Sequence, residues 1–151
     1  MRKFTFTLES VLQVKYRLEE RVRAELADTQ SRLVEAQQAL RRLSQEKGRH
    51  QKEMVRIQQG ALDIGSLLLA QDYLAQLNRR IQDQQEVIAQ IEAELDRKRE
   101  ELVEAQRERK SLEILKDKQW QEYQKAVQRE EQLFLDEVAA IRYGRLGSDN
   151  Q

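Results

Sequence analysis

Gly60-Ala61-Leu62-Asp63-Ile64-Gly65-Ser66 is the stretch on which the reading of this chain depends. It holds two of the five glycines, and there is no proline anywhere in the 151 residues. Gly60 can terminate one helix, and Asp63 or Ser66 can cap the next. On either side the chain runs for dozens of residues without a comparable breaker. A turn over about 59–66 therefore divides two long helices, and a connection that short makes them antiparallel neighbours.

Outward from the turn, each side carries an apolar seam. Towards the N-terminus, Leu8, Val11, Leu18, Val22, Leu26, Leu33, Ala36, Leu40, Leu43, Met54 and Ile57 recur mostly at steps of three and four. That spacing predicts a helix over about 8–58, with Thr7 as its N-cap. Lys47, Gly48 and His50 interrupt the seam and predict a looser end there. Towards the C-terminus, Leu74, Leu77, Ile81, Ile88, Ile91, Leu95, Leu102, Ala105 and Leu112 predict a second helix over about 66–142, followed by a short tail. After Leu112 the apolar set becomes Leu115, Trp120, Tyr123, Val127, Phe134, Val138 and Ile141. Such a change of phase marks a stutter or a helix that has lost its partner.

The predicted fold is all-α: a single coiled-coil domain over residues 1–151, built as an antiparallel hairpin. Its second helix is the longer and leaves a protruding C-terminal end. Folding back near residue 62 sets Leu33 beside Ile91, Leu40 beside Gln84 and Lys98 near Asp28.

Composition agrees. Apolar residues make up 39% and charged residues 36%, against roughly 45–50% and about 25% in globular domains. The formal net charge is zero, but residues 1–58 carry 13 Lys/Arg and 8 Asp/Glu while the remainder carries 14 and 19. Opposite signs favour two segments lying side by side. The absence of cysteine rules out disulfides and thiolate metal sites. No secretory leader is legible, and the apolar run Leu67–Ala70 falls far short of the ~20 residues a membrane span needs. The expectation is a cytoplasmic protein without a direct membrane span.

Little in the sequence points to catalysis. Two helices enclose no pocket, and there is no Gly-rich phosphate loop, HExxH, EF-hand or nucleophile elbow. His50 has no second His or Cys to complete a metal site, so it reads as a seam or surface residue. The carboxylates Glu100, Glu101, Glu104 and Glu108, and Glu130, Glu131, Asp136 and Glu137, read as solvated faces. Glu19–Arg23, Asp28–Arg32 and Glu94–Lys98 have the spacing of helix-surface pairs. The basic cluster Arg41, Arg42, Lys47, Arg49 and Lys52 lacks interleaved aromatics, so no nucleic-acid partner is expected. No cofactor and no metal are expected. Trp120, Tyr123, Phe134 and Tyr143 are four of the eight aromatics. They serve either as anchors for a partner groove or as packing for Phe4, Phe6 and Tyr16.

Three stretches resemble the flagellar export protein FliJ family: Phe6-Thr7-Leu8-Glu9-Ser10-Val11-Leu12, Tyr73-Leu74-Ala75-Gln76-Leu77, and Glu130-Glu131-Gln132-Leu133-Phe134-Leu135-Asp136-Glu137-Val138-Ala139. Their order, spacing and place relative to the turn carry the resemblance along nearly the whole chain. It implies a small coiled-coil hairpin of the type III export apparatus, similar to the stalk of rotary ATPases. The implied partners are the export ATPase hexamer, whose ring it enters and helps to assemble, the membrane export-gate protein, and export chaperones. The implied place is the cytoplasm, peripherally at the inner face of the cell membrane, in flagellum biogenesis, motility and chemotaxis.

By position the resemblance assigns Leu43, Tyr73 and Leu77 to the gate contact. Glu46, His50, Arg80 and Gln84 occupy equivalent places but depart from the family's residue types. The free end of the second helix, with Trp120, Tyr123, Phe134, Asp136 and Glu137, is assigned to the ATPase ring. An injectisome stalk of the same class and a generic parallel spacer are the alternatives.

Overall fold

The computed structural model describes residues 2–60 and 63–149. The fold is all-α, with α1 over Glu9–Gln59 and α2 over Ile64–Ser148 packed against each other. The helices form two compact units: Glu20–Glu104, and Met1–Glu19 with Ala105–Gln151.

In the Glu20–Glu104 unit the core is a single seam. Val22, Ala36, Ala70, Leu77, Ile91 and Leu95 are buried, and Leu77 is wholly enclosed. The α1 side reads Val22, Leu26, Thr29, Leu33, Ala36, Leu40, Leu43, Lys47, His50, Met54 and Ile57, each buried or half-buried. That alternation of three and four keeps one stripe facing the partner helix. Burying each large apolar side chain stabilises by ~1.5–3 kcal/mol. Thr29 sits inside the seam because its hydroxyl donates to the Glu25 carbonyl oxygen at 2.9 Å, which satisfies its polar atom.

Cross-helix bonds fix the antiparallel register. Arg32 reaches Glu94 at 3.2 Å, and the Gln84 amide donates to the Ala36 carbonyl oxygen at 2.9 Å. Both lie within a turn of the expected pairing. Lys98 meets Glu25 at 2.8 Å, one turn before Asp28. Where the seam was expected to loosen, α1 stays unbroken, and polar contacts from Glu46 and His50 replace apolar packing.

Asp63 caps α2. Its carboxylate accepts from the Gly65 amide at 3.1 Å and the Ser66 hydroxyl at 3.0 Å, and its carbonyl accepts from Leu67 N–H at 3.1 Å. That satisfies donors the first turn would otherwise leave orphaned. Gly60 follows α1, and no described glycine has a positive φ, so Gly60 itself is not a left-handed cap. The centre of the expected turn, residues 61–62, lies outside the described residues.

In the other unit, three expectations change. The first is the seam phase. Leu12 is 2% exposed while Val11 is 40%, so the apolar entry is Phe6 and Leu12, not Leu8 and Val11. The second is the cap. The Leu12 amide donates to the Leu8 carbonyl oxygen at 2.9 Å and Glu9 N–H to Phe6 O at 3.1 Å. These bonds open α1 at Glu9, one residue later than a Thr7 cap implies.

The third is the C-terminal half of α2. Its seam does not shift after Leu112: Lys116, Gln119 and Tyr123 continue the phase half-buried, while Leu115 is exposed. A long side chain can lay its apolar stem in a seam and pair its polar tip at the edge. α2 then runs on through Gly144 and Gly147 to Ser148, past the expected end at 142.

Ile91→Asp places an unpaired charge in the seam and should destabilise the Glu20–Glu104 unit by roughly 3 kcal/mol or more; thermal melts followed by circular dichroism measure it. Gly48 lies inside α1 with open space where a Cβ would go. Gly48→Ala should therefore stabilise by about 0.5–1 kcal/mol, seen as a raised midpoint in urea.

Candidate functional site

In the Glu20–Glu104 unit, Tyr73 stands half-buried on α2 against α1. Its hydroxyl donates to Glu46, and its ring meets His50 edge-on at 4.7 Å. The Nε2 of His50 lies 2.7 Å from the Ala70 carbonyl oxygen, which makes that nitrogen the donor. The Glu46 acceptor raises the Tyr73 pKa above 10, with desolvation adding to it. Leu43 is also half-buried. Leu77 differs from both: it has no exposed surface, so it holds the helices together and offers a partner nothing. Gln84 is engaged with Ala36, and Arg80 is exposed.

The larger apolar surface near this end comes from residues that seam reading passed over. Ile64 and Leu69 are each 72% exposed, with Leu68 and Val55 also open. The run Leu67-Leu68-Leu69-Ala70 carried the signal. The seam takes Leu67 and Ala70, which leaves Leu68 and Leu69 facing outward.

In the other unit, two of the five residues assigned to the ATPase ring pack at home. Phe4 meets Trp120 edge-on at 5.1 Å and Tyr123 at 5.5 Å, and the Tyr123 hydroxyl donates to the Arg2 carbonyl oxygen at 2.9 Å. Phe134 is free, as are Leu133, Leu135, Ile141, Tyr143 and Leu146. At 3.6 residues per turn, Val127, Phe134, Val138 and Ile141 continue the Trp120–Tyr123 face within about 60° of one another. Glu137 borders that stripe. Asp136 lies on the opposite side, where Gln132 donates to it at 3.0 Å.

Between the cluster at Phe4 and the end of this unit the seam is chiefly ionic. Glu9 pairs with Lys116 at 2.8 Å and Lys15 with Glu108 at 2.8 Å. Buried Glu19 meets the Arg109 guanidinium, which also bonds Glu113 at 3.1 Å and lies over the Tyr16 ring. Tyr16 donates its hydroxyl to Glu113. Thus Arg32, Lys98 and Glu19 all reach across the helices, beyond the along-helix pairing the sequence suggested.

Among the described residues no group of three or more His, Asp or Glu could hold a metal ion, and no helix is long and apolar enough to cross a membrane. Arg41, Arg42, Arg49 and Lys52 are exposed.

Three carboxyls titrate below their ordinary value of 4.5. Glu9 is lowered by its bond to Lys116, Glu25 by Lys98, and Glu113 by the Tyr16 hydroxyl and then Arg109. A carboxyl whose pKa is lower folded than unfolded stabilises the fold above its unfolded value. That contribution is lost as the pH falls through the folded value. The melting temperature should therefore drop on acidification from about pH 5 to about pH 3, and Glu9→Gln with Glu113→Gln should flatten the dependence. A melting temperature constant over that range would contradict the ion-pair assignment.

No curated protein and no solved structure matches the chain. One family model, described as "Flagellar FliJ protein", matches residues 4–148. That family is a structural component of flagellar export. Covered almost end to end, with the helical hairpin in place, the chain belongs to the FliJ family of flagellar export-associated proteins.

Proposed function

We propose that this protein is a stalk-like coiled coil of flagellar type III export. Its α2 C-terminal segment enters the export ATPase hexamer, promotes ring assembly and activity, and so serves flagellum biogenesis, motility and chemotaxis. The observation that carries this reading is the uncovered stripe of Phe134, Val138 and Ile141 on one helix. An apolar stripe flanked by carboxylates suits insertion among the subunits of a ring.

A single asymmetric helix in a ring contacts successive subunits unequally. Any contact stronger in one nucleotide state than another shifts the ring towards that state. The turn-side part of the other unit supplies a second contact, with the membrane export-gate protein. Tyr73 and the edge of Leu43 belong to it, extended by outward-facing Ile64, Leu68 and Leu69. Through the gate the protein is held peripherally at the cytoplasmic face of the membrane. Escort of export chaperones uses the same open surfaces.

Mixing the purified protein with the export ATPase of the same organism, and following hydrolysis together with ring assembly, tests the proposal. Stimulation should saturate at roughly one copy per ring. Phe134→Asp and truncation after Gln128 should abolish it, while both leave the Phe4–Trp120–Tyr123 cluster and the helical signal in place. No change in rate or assembly would reduce the protein to a spacer or a chaperone escort.

A further inference from the structure

We infer that the α2 segment Val127–Ser148 pairs with the same segment of a second copy of this chain, antiparallel and centred on Val138. From Gln128 onward every described residue except Val138 is exposed. Phe134 and Ile141 are 66% and 53% open to water. Leu135 and Leu146 widen the same stripe along one side, at ~100° per residue.

Charge placement selects the occupant and its direction. Glu130, Glu131 and Glu137 border the stripe in its first half; in its second, Arg142 borders it and Arg145 lies within it. The remaining charges, Lys125, Arg129 and Asp136, lie on the far face. Two copies side by side and parallel would set Glu131 against Glu131 and Arg145 against Arg145 along the stripe, and only Glu137 would meet an opposite charge, Arg142 of the other copy. Turned end for end about Val138, the same surfaces match. Phe134 packs on Ile141 of the other copy, Glu130 faces its Arg145, and Glu131 its Arg142. The antiparallel order therefore matches apolar content and four of the five charges, with Glu137 beside the axis meeting its own copy.

The paired length is about three heptads, roughly 33 Å. That is short for a coiled coil, so the association is reversible and depends on concentration and salt. A paired copy has Phe134 covered, and self-association withholds the stripe from any other partner. The inference concerns the protein alone and stands or falls independently of ring binding.

Sedimentation of the purified chain reads it. The mass should pass from monomer to dimer as concentration rises through the micromolar range. Glu130→Arg with Glu131→Arg should weaken the dimer by roughly tenfold or more. Adding Arg142→Glu with Arg145→Glu in the same chain should restore it, because the signs again match. The chain has no cysteine of its own, so single substitutions report the direction. Val138→Cys should form an interchain disulfide on mild oxidation and Val127→Cys should not, since only residues at the two-fold axis approach within disulfide range. A monomer at every concentration up to hundreds of micromolar would overturn the inference. So would charge reversal without effect, or cross-linking at position 127 as readily as at 138.

Discussion

Two helices share one seam, and everything else in this protein follows from that shortage of interior. Each helix hides a single stripe. The apolar residues on it are too few to fill every layer, so polar side chains occupy the rest. Glu19 is as buried as Leu95. Taking such a group out of water is unfavourable unless an opposite charge meets it, and the Arg109 guanidinium does. Lys98 with Glu25, and Lys116 with Glu9, repeat the solution closer to the surface. These pairs add register to the fold: sliding one helix by a heptad leaves apolar facing apolar but separates each ion from its partner.

That mixed seam explains what was legible beforehand. Leu33, Ala36, Ile91 and Leu95 announce their helices by spacing, and Asp63 with Gly60 announces the reversal. The phase at the two outer ends was harder to read, because ionic residues carry it. Nothing apolar marks Lys15, Glu19, Arg109 or Lys116 as seam positions. Val11 and Leu115, apolar but off-phase, drew the eye instead. Counting strictly by three and four from Val22 backwards recovers Glu19, Lys15 and Leu12, and from Leu112 forwards recovers Lys116, Gln119 and Tyr123. Tyr73 and Leu77 show the same ambiguity at the surface. They sit four apart in one recognisable stretch, yet one keeps an open edge and the other has no exposure at all.

With so little enclosed, many large apolar side chains are left uncovered. Two apolar regions stand out. One comprises Ile64, Leu68 and Leu69. The other is the stripe beyond Val127. The first lies off the seam, and the second extends the seam's own face beyond the last residues that α1 covers. Leaving large apolar side chains in water has no benefit to a fold this thin. Contiguous exposed apolar patches are what the proposed ring and gate contacts would use.

The Asp63 cap has a consequence for how the chain assembles. The His50–Ala70 contact closes a span of 20 residues, while the Tyr123–Arg2 bond closes one of 121. For a flexible chain the entropy of closure differs between them by only about 1.5 kcal/mol. Each contact made nearer the cap further shortens the loop that the next must close, so loop-closure entropy favours formation that begins beside Asp63. The aromatic cluster at Phe4 is then the last contact, made from a chain end already delivered to its place.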